Sequence, residues 1–165
     1  AAIFTTCFLK GLCQRFLGDR VNYVNVLALA KERQIETASM ASAEPTDYKN
    51  LIKATLFSSD EEHTVSATVF GLDHPRIVAI DDYHIEVKPF GTKLVVKNED
   101  VPGVIGKVGT LLGKSNINIA EYFLSKPNDS NLALAIISLD NAIDPDTLKK
   151  LKALEPIKFA QVIEC

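Results

Sequence analysis

The stretch 98-NEDVPGVIGKVGTLLGKSNINI-119 decides the fold, because it joins a polar loop, a Pro-Gly start signal and a glycine-rich apolar run. Apolar side chains recur in it at intervals of three and four residues, which predicts an amphipathic helix over residues 104–114. The apolar face of that helix comprises Val104, Ile105, Val108, Leu111 and Leu112. The same stretch therefore contains the end of a strand, a helix and the start of the next strand.

Gly113-Lys114-Ser115 looks like the end of a phosphate-binding P-loop, but its spacing and its place both argue against a nucleotide site. A P-loop has four residues between its two glycines, so that backbone amides can surround a phosphate. Gly109 and Gly113 are separated by only three residues. Lys114 and Ser115 also fall at the carboxyl end of the predicted helix, where the helix dipole repels phosphate. The sequence also lacks the Gly-x-Gly-x-x-Gly fingerprint of dinucleotide sites.

The pattern around this helix predicts a small α+β domain over residues 91–165. Four short apolar segments have strand character: residues 93–97, 118–125, 132–139 and 157–163. Asp144-Pro145 opens a second helix, because aspartate is a favoured cap and proline is favoured in the first turn. The resulting order, βαββαβ, is the split ferredoxin-like pattern.

Residues 1–90 predict a different α+β domain, with helices followed by an antiparallel sheet. Helical spacing covers residues 3–17 and 21–33, and Pro89-Phe90-Gly91 marks the boundary with the next domain. Alternating patterns predict strands at residues 37–43, 51–57, 64–71, 76–80 and 83–87. Asp81-Asp82 lies between the last two and predicts a hairpin turn, although the usual glycine is missing.

Composition limits the function classes. The chain has 165 residues and a formal net charge of −3, which gives no general attraction for nucleic acid or anionic membrane. No apolar run is long enough to span a membrane, and Lys10 interrupts the apolar start, so that start indicates an amphipathic helix rather than a signal peptide.

The three cysteines are odd in number and indicate buried or terminal thiols in a reducing compartment, the cytoplasm. The chain begins at Ala1 without methionine, and we interpret it as a fragment.

The sequence shows no catalytic constellation. His63, His74 and His84 lack metal-ligand spacing and are expected on loop or strand surfaces. The sequence contains neither a Cys-x-x-Cys pair nor a Gly-x-Ser-x-Gly nucleophile motif. The chain by itself is therefore not expected to be an enzyme, and no cofactor or metal is expected in it.

The loop before the glycine-rich helix is a candidate binding site. Amides at a helix start have no intrahelical acceptor, so they can bind a carboxylate. Asn98 and Asp100 stand beside them and can meet an ammonium group, which makes the turn complementary to an α-amino acid. The alternative is that Asp100 only caps the helix. Glycines 106, 109 and 113 lie along one side of the helix, where they permit close approach of a ligand or another backbone.

The run LVVKNEDVPGVIGKVGTLLGKSNINIAEYFLS, residues 94–125, resembles an ACT domain, the βαββαβ module that binds amino acids to regulate metabolic enzymes. Upstream, LKGLCQRFLGDRVNYVNVLALAKERQI, residues 9–35, resembles the intervening segment of long-form D-3-phosphoglycerate dehydrogenases. Its typical features are Val-Asn-x-x-Asn at 21–25 and Ala-Lys-Glu-Arg at 30–33. Nothing in the chain resembles the nucleotide-binding and substrate domains of that enzyme, or the first strand expected of the intervening domain.

This resemblance implies specific partners and site residues. It implies that L-serine binds between ACT domains of a homo-oligomer, held by residues that match Asn98, Asp100 and Asn118. It also implies an anionic effector on the last strands of the intervening domain, at Arg76 and Lys88. NAD and 3-phosphoglycerate would bind to catalytic domains of the parent enzyme, an oxidoreductase of serine biosynthesis.

Two other functions remain open from the sequence. One is the regulatory module of an iron-sulfur L-serine dehydratase, although the Ser-Ser-Ser-His-Thr-type segment of that module is not found here. The other is a stand-alone interaction module that pairs its sheet with a partner and binds no small molecule. Ligand-induced changes confined to residues 98–118 would distinguish the leading hypothesis from the second alternative.

Overall fold

The computed structural model describes residues 2–42 and 47–164, and it divides into two compact units, Ala1–Asp47 and Tyr48–Cys165. The helices are α1 (Ala2–Leu17), α2 (Val26–Glu32), α3 (Val104–Lys114) and α4 (Pro145–Lys152). The strands are β1 (Ile52–Phe57), β2 (Glu62–Phe70), β3 (His74–Ile80), β4 (Tyr83–Val87), β5 (Thr92–Glu99), β6 (Ile119–Ser125), β7 (Leu132–Leu139) and β8 (Ile157–Glu164). Helices followed by antiparallel strands confirm the α+β prediction.

The first unit contains α1 and α2. Its core is formed by Leu9, Cys13, Leu17, Val21, Val26 and Ala30. The first helix was predicted correctly, but the second begins at Val26 and not at Val21. The reason is that Asn22 and Asn25 bind the backbone of this turn: Asn22 Oδ1 accepts from the Val24 amide at 2.9 Å, and Asn25 Oδ1 accepts from the Asn22 amide at 2.8 Å. Such local bonds stabilise a turn in place of helix.

The strand predicted at residues 37–43 is wrong for the part of it that the structure describes. Residues 37–42 are exposed and belong to no strand, and residue 43 lies outside the described residues. Alanine and serine dominate this segment, so the alternating pattern offers little apolar area to bury against a sheet.

The upstream sheet contains β1 to β4 in sequential order, with every neighbouring pair antiparallel. The hairpin predicted at Asp81-Asp82 joins β3 to β4. Asp81 adopts the positive φ of 48° that a glycine usually provides in such turns. Its carboxylate accepts a hydrogen bond of 2.8 Å from the Thr64 amide, which fixes the turn against β2.

The downstream sheet has the strand order β6-β7-β5-β8, and α3 and α4 cover one of its faces. This arrangement confirms the ferredoxin-like βαββαβ prediction. The buried residues between helices and sheet are Leu94, Val96, Val104, Val108, Leu112, Ile117, Ala135, Ile137, Leu139, Leu151, Ile157 and Ala160. Asp144 caps α4 as predicted, because its carboxylate accepts from the Thr147 amide at 2.9 Å.

The opposite face of the downstream sheet packs against β4 of the upstream sheet. Tyr83, Ile85 and Val87 of β4 share a buried apolar cluster with Leu134 and Ile136 of β7. The two sheets are thus in direct contact within the unit 48–165. The predicted domain boundary at residues 90 and 91 falls between β4 and β5, where the chain passes from one sheet to the other. That division into domains remains a prediction.

Candidate functional site

Asn98 lies at the end of β5, on the face that α3 and α4 cover. Successive side chains of a strand point to opposite faces of the sheet, so those of Leu94, Val96 and Asn98 point to the same face. All three side chains are buried. The Asn98 residue is only 4% exposed. Its Nδ2 donates to the Glu99 carbonyl at 2.7 Å, while its Oδ1 is buried without any hydrogen-bond partner among the described residues. A buried acceptor without a donor costs roughly 1–3 kcal/mol, so this oxygen is a strong candidate to meet a ligand donor.

The start of α3 lies a few residues after Asn98 and has no side-chain cap. Gly103 is the N-cap residue, and its φ of 90° falls in the left-handed region that favours glycine. The first intrahelical bond joins the Lys107 amide to the Gly103 carbonyl at 2.9 Å. The amides before Lys107 have no acceptor within the helix, which leaves them free to bind an anion.

Asp100 does not cap this helix, so that interpretation of its role is wrong. Its backbone amide donates to the Asn131 carbonyl at 2.9 Å, which holds the loop against the segment before β7. Its carboxylate accepts from Lys126 Nζ at 2.5 Å. Both side chains are more than a third exposed, and ion pairs of this kind contribute only about 0–1 kcal/mol, so a ligand ammonium can compete with Lys126.

Asn118 lies beyond the other end of α3. The helix ends at Lys114, Asn116 just beyond it has a φ of 60°, and the Ile117 amide donates to the Leu112 carbonyl at 3.0 Å. These are features of a Schellman motif, in which a left-handed residue satisfies the last carbonyls of a helix. Asn118 follows this motif, and its Nδ2 donates to Asp140 Oδ2 at 2.5 Å.

One chain does not bring the three predicted serine ligands together. Asn98 pairs with Ala133 of β7, whereas Ile119, next to Asn118, pairs with Leu139. The two partners are six residue steps apart along β7, which at the rise of an extended strand amounts to roughly 20 Å. Asn98 and Asp100 therefore lie at one end of the downstream sheet, and Asn118 lies at the other.

The glycine side of α3 is open. A Cβ added to Gly106, Gly109 or Gly113 meets no heavy atom within 4 Å. Among residues 2–42 and 47–164, therefore, nothing outside the helix makes the close approach that these glycines were expected to permit. Beside them is a shallow groove of ≈ 380 Å³, lined by Gly106, Lys107, Thr110, Leu111, Lys114 and Leu154. It does not include Asn98, Asp100 or Asn118.

Arg76 and Lys88, the two cations predicted to bind an anionic effector, are near neighbours on the upstream sheet. The pairing of Ile77 with Val87 places them side by side, near the start of β3 and just after the end of β4. Each has a carboxylate close to it. Arg76 Nε lies 3.8 Å from Glu86 Oε1, and Lys88 Nζ lies 3.0 Å from Glu121 Oε1. An anion would have to compete with these carboxylates, and the effector site remains a prediction.

Sequence reasoning missed Lys126 and Asp140, the side chains that contact Asp100 and Asn118. Neither has a local sequence signal, because each comes close through the pairing of β6 with β7. Glu121, which contacts Lys88, was also missed, because this contact depends on the packing of β4 on the downstream sheet.

The histidines lie on strands with exposed side chains, as predicted. The hydrogen bond that the Asp81 carboxylate accepts from the His63 imidazole raises the pKa of His63, and the negative charges of Asp81 and Glu61 act in the same direction. Across residues 2–42 and 47–164, the structure contains no group of three His, Cys, Asp or Glu side chains that could hold a metal. No helix in those segments is long and apolar enough to cross a membrane.

The cysteine prediction is only partly correct. Cys13 is a buried free thiol, but Cys7 is a free thiol on the exposed side of α1, and Cys165 lies outside the described residues.

Comparison with known proteins gives two domain assignments. Residues 1–81 match the D-3-phosphoglycerate dehydrogenase intervening domain, and residues 92–156 match the ACT domain. The two matches agree with the βαββαβ order of the downstream half and with the helices and antiparallel strands of the upstream half.

Curated relatives carry the name D-3-phosphoglycerate dehydrogenase. The chain is 34% identical over 164 residues to the protein of Archaeoglobus fulgidus, covering 97% of this chain and 31% of the relative. It is 29% identical to the Bacillus subtilis protein, covering 99% of the chain and 31% of the relative. For the Mycobacterium tuberculosis protein the values are 30% identity, 94% of the chain and 30% of the relative. The chain thus spans less than a third of the length of these relatives, and it carries the intervening and ACT domains of the D-3-phosphoglycerate dehydrogenase family.

Proposed function

We propose that this chain is the allosteric region of a D-3-phosphoglycerate dehydrogenase and that its ACT domain binds an amino acid, L-serine, for feedback control. The observation that carries the proposal is the buried Asn98 Oδ1 without a partner, next to a helix start without a cap. Both features cost free energy in the unliganded chain, and an amino acid would satisfy both.

The charges of the ligand match the groups at the end of β5. A carboxylate fits the free amides before Lys107, because they point along the axis of α3 and carry its positive dipole end. An ammonium or hydroxyl group fits Asn98 Oδ1 as a donor, and the Asp100 carboxylate adds a negative charge. L-Serine offers all three groups within one small molecule.

The third ligand, Asn118, must come from a second copy of the chain. β6 lies at one edge of the downstream sheet, so its outer backbone groups can pair with another strand. Antiparallel pairing of two β6 strands about a two-fold axis places the start of one strand beside the end of the other. Lys126, which follows β6, contacts Asp100. The partner's Asn118 would therefore approach Asp100, and each dimer would hold two sites.

The open glycine face of α3 supports the same dimer. Each glycine inside a helix costs about 1 kcal/mol relative to alanine. Since Gly106, Gly109 and Gly113 face open space in the described part of the chain, contact with a partner helix is the compensation that we propose.

Control of the parent enzyme would follow from a population shift. If L-serine binds one arrangement of subunits more tightly than another, it shifts their equilibrium by its difference in affinity, typically 1–3 kcal/mol.

NAD and 3-phosphoglycerate would bind to the catalytic region of the parent oxidoreductase. Arg76 and Lys88 would bind an anionic effector by exchanging their carboxylate partners. The free thiols of Cys7 and Cys13 suit the reducing cytoplasm that we propose as the location.

Titration calorimetry of the 165-residue chain with L-serine tests the proposal. We expect heat of binding for the wild type and at least tenfold weaker binding for Asp100→Ala, equal to about 1.4 kcal/mol. Glu99→Ala is the matched control, because Glu99 also forms an exposed ion pair, with Lys158 at 2.5 Å, on the neighbouring residue. Absence of heat with L-serine, or identical binding by wild type and Asp100→Ala, would contradict the proposal.

A further inference from the structure

A polar network joins the two sheets at the end of β4. Lys93 Nζ of β5 donates to Ser138 Oγ of β7 at 3.0 Å, and that hydroxyl donates to Glu121 Oε2 of β6 at 3.4 Å. Glu121 Oε1 in turn accepts from Lys88 Nζ at 3.0 Å. Lys93, Ser138 and Glu121 belong to the downstream sheet, whereas Lys88 follows β4 of the upstream sheet. Glu121 is thus the residue through which the network passes from one sheet to the other.

Two members of this network are buried, which distinguishes it from an ion pair on the surface. Lys93 is 6% exposed and Ser138 is 7% exposed. A buried ammonium group needs a nearby negative charge, because its own desolvation is costly. Glu121 supplies that charge through Ser138 while it also binds Lys88. The hydrogen bond from Lys88 lowers the pKa of Glu121, and the charges of Lys88 and Lys93 act in the same direction, so the carboxylate is ionised at neutral pH.

The strand that contains Glu121 begins directly after Asn118, the residue that we assign to the amino-acid site. Asn118 directly precedes β6, and Glu121 follows three residues later. The pairing with β7 shifts register between Ile119 and Glu121, which is a β-bulge or a related irregularity. An extra residue in one strand re-aims the side chains that follow it. The irregularity therefore sets the direction of the Glu121 side chain relative to Asn118.

We propose that Glu121 couples the amino-acid site to the upstream sheet, because it links the strand that follows Asn118 to Lys88 beyond β4. This inference rests on the proposed function, and it adds the route by which binding reaches the intervening domain. The apolar contact of Tyr83, Ile85 and Val87 with the downstream sheet acts as the pivot. Lys97 Nζ lies 5.6 Å from the centre of the Tyr83 ring and fixes the other end of β4.

Hydrogen exchange of the full chain, with and without saturating L-serine, tests the coupling. In the wild type we expect the exchange rates of the β4 amides, residues 83–87, to change several-fold along with those near Asn118. Glu121→Gln keeps the size of the side chain and removes its charge. In this variant, L-serine should still change the exchange rates of the amides near Asn118 but should no longer change those of β4. Glu99→Gln is the matched control, because its ion pair with Lys158 joins β5 to β8 within one sheet.

The outcomes separate this inference from the proposed function. If calorimetry gives no heat with L-serine, the proposed function fails, and the coupling fails with it. If L-serine binds but the β4 amides of the wild type do not respond, or respond equally in Glu121→Gln, only the coupling is overturned. If Glu121→Gln does not fold, Lys88→Gln gives the same comparison of the two regions.

Discussion

Asp100 and Asn118 flank the same helix, α3, yet they lie at opposite ends of the downstream sheet. Asp100 contacts Lys126, which follows β6, whereas Asn118 precedes β6 and contacts Asp140. Residues that a single ligand is expected to touch are therefore separated within one chain. This separation is the reason for assigning the amino-acid site to the interface of two copies.

The substitution Asn98→Leu should remove L-serine binding without lowering the stability of the chain. Leucine keeps the branched shape of the side chain and removes the buried oxygen that has no partner. The free energy of unfolding should equal or exceed that of the wild type, because an unsatisfied buried polar group costs about 1–3 kcal/mol. L-Serine binding should be lost. Urea unfolding and calorimetry check the two effects, and wild-type affinity in this variant would show that Asn98 does not touch the ligand.

Gly109→Ala should stabilise the isolated chain and weaken the dimer. The added Cβ meets nothing within 4 Å in one chain, so the helix gains about 1 kcal/mol from the better helix former. In the dimer, the methyl group would hold the partner helix away. Sedimentation measures the association, and Gly11→Ala in α1, also an open position, should leave it unchanged. Undiminished dimerisation of Gly109→Ala would place the interface elsewhere.

Leu112→Ala should destabilise the unit 48–165. Leu112 is 0% exposed and lies between α3 and the sheet, so its truncation leaves a cavity that costs about 2–5 kcal/mol. Leu72 is 99% exposed, and Leu72→Ala should change the free energy of unfolding by less than about 0.5 kcal/mol. Equal unfolding midpoints for the two variants would contradict the packing of α3 described above.

Asp144→Ala should lower the unfolding midpoint at neutral pH, because α4 loses its cap. Hydrogen bonds from the Thr147 side chain and from its backbone amide lower the pKa of Asp144 below its usual value. A carboxyl group with a lowered pKa stabilises the fold above its unfolded pKa, and this contribution is lost as the pH falls through the folded pKa. The difference between wild type and Asp144→Ala should therefore shrink in acid. Asp144→Asn, which still accepts the bond, should show a smaller loss at neutral pH, and a difference independent of pH would exclude the cap.

The sequence was sufficient for most of the fold, because apolar periodicity and cap residues are local signals. The period of α3 and the Asp144-Pro145 start of α4 fixed both helices of the downstream half. The same rules failed at residues 37–42, where alternating small residues imitate a strand without the apolar area to form one. They also failed at residues 21–25, where asparagine side chains replace helical bonds by turn bonds.

The candidate site was predictable only in part. Asn98 and Asp100 could be found from the loop and helix start that follow one another in sequence. Their distance from Asn118, and the contacts with Lys126 and Asp140, depend on the strand order β6-β7-β5-β8, which no local spacing specifies. The network around Glu121 depends on the packing of β4 on the other sheet. The one signal of this network in the sequence was that Lys93 and Ser138 are polar residues in otherwise apolar strands.

Mixing Asp100→Ala with Asn118→Ala tests the central claim, a site shared between two copies, most directly. Either variant alone should bind L-serine at least tenfold more weakly than the wild type, because every site in its homodimer lacks one of the binding residues. A mixed dimer has one site in which Asp100 and the partner's Asn118 are both intact. After random re-association of equal amounts, calorimetry should recover about a quarter of the wild-type sites, with wild-type affinity. A mixture that binds no more L-serine than the separate variants would contradict the shared site.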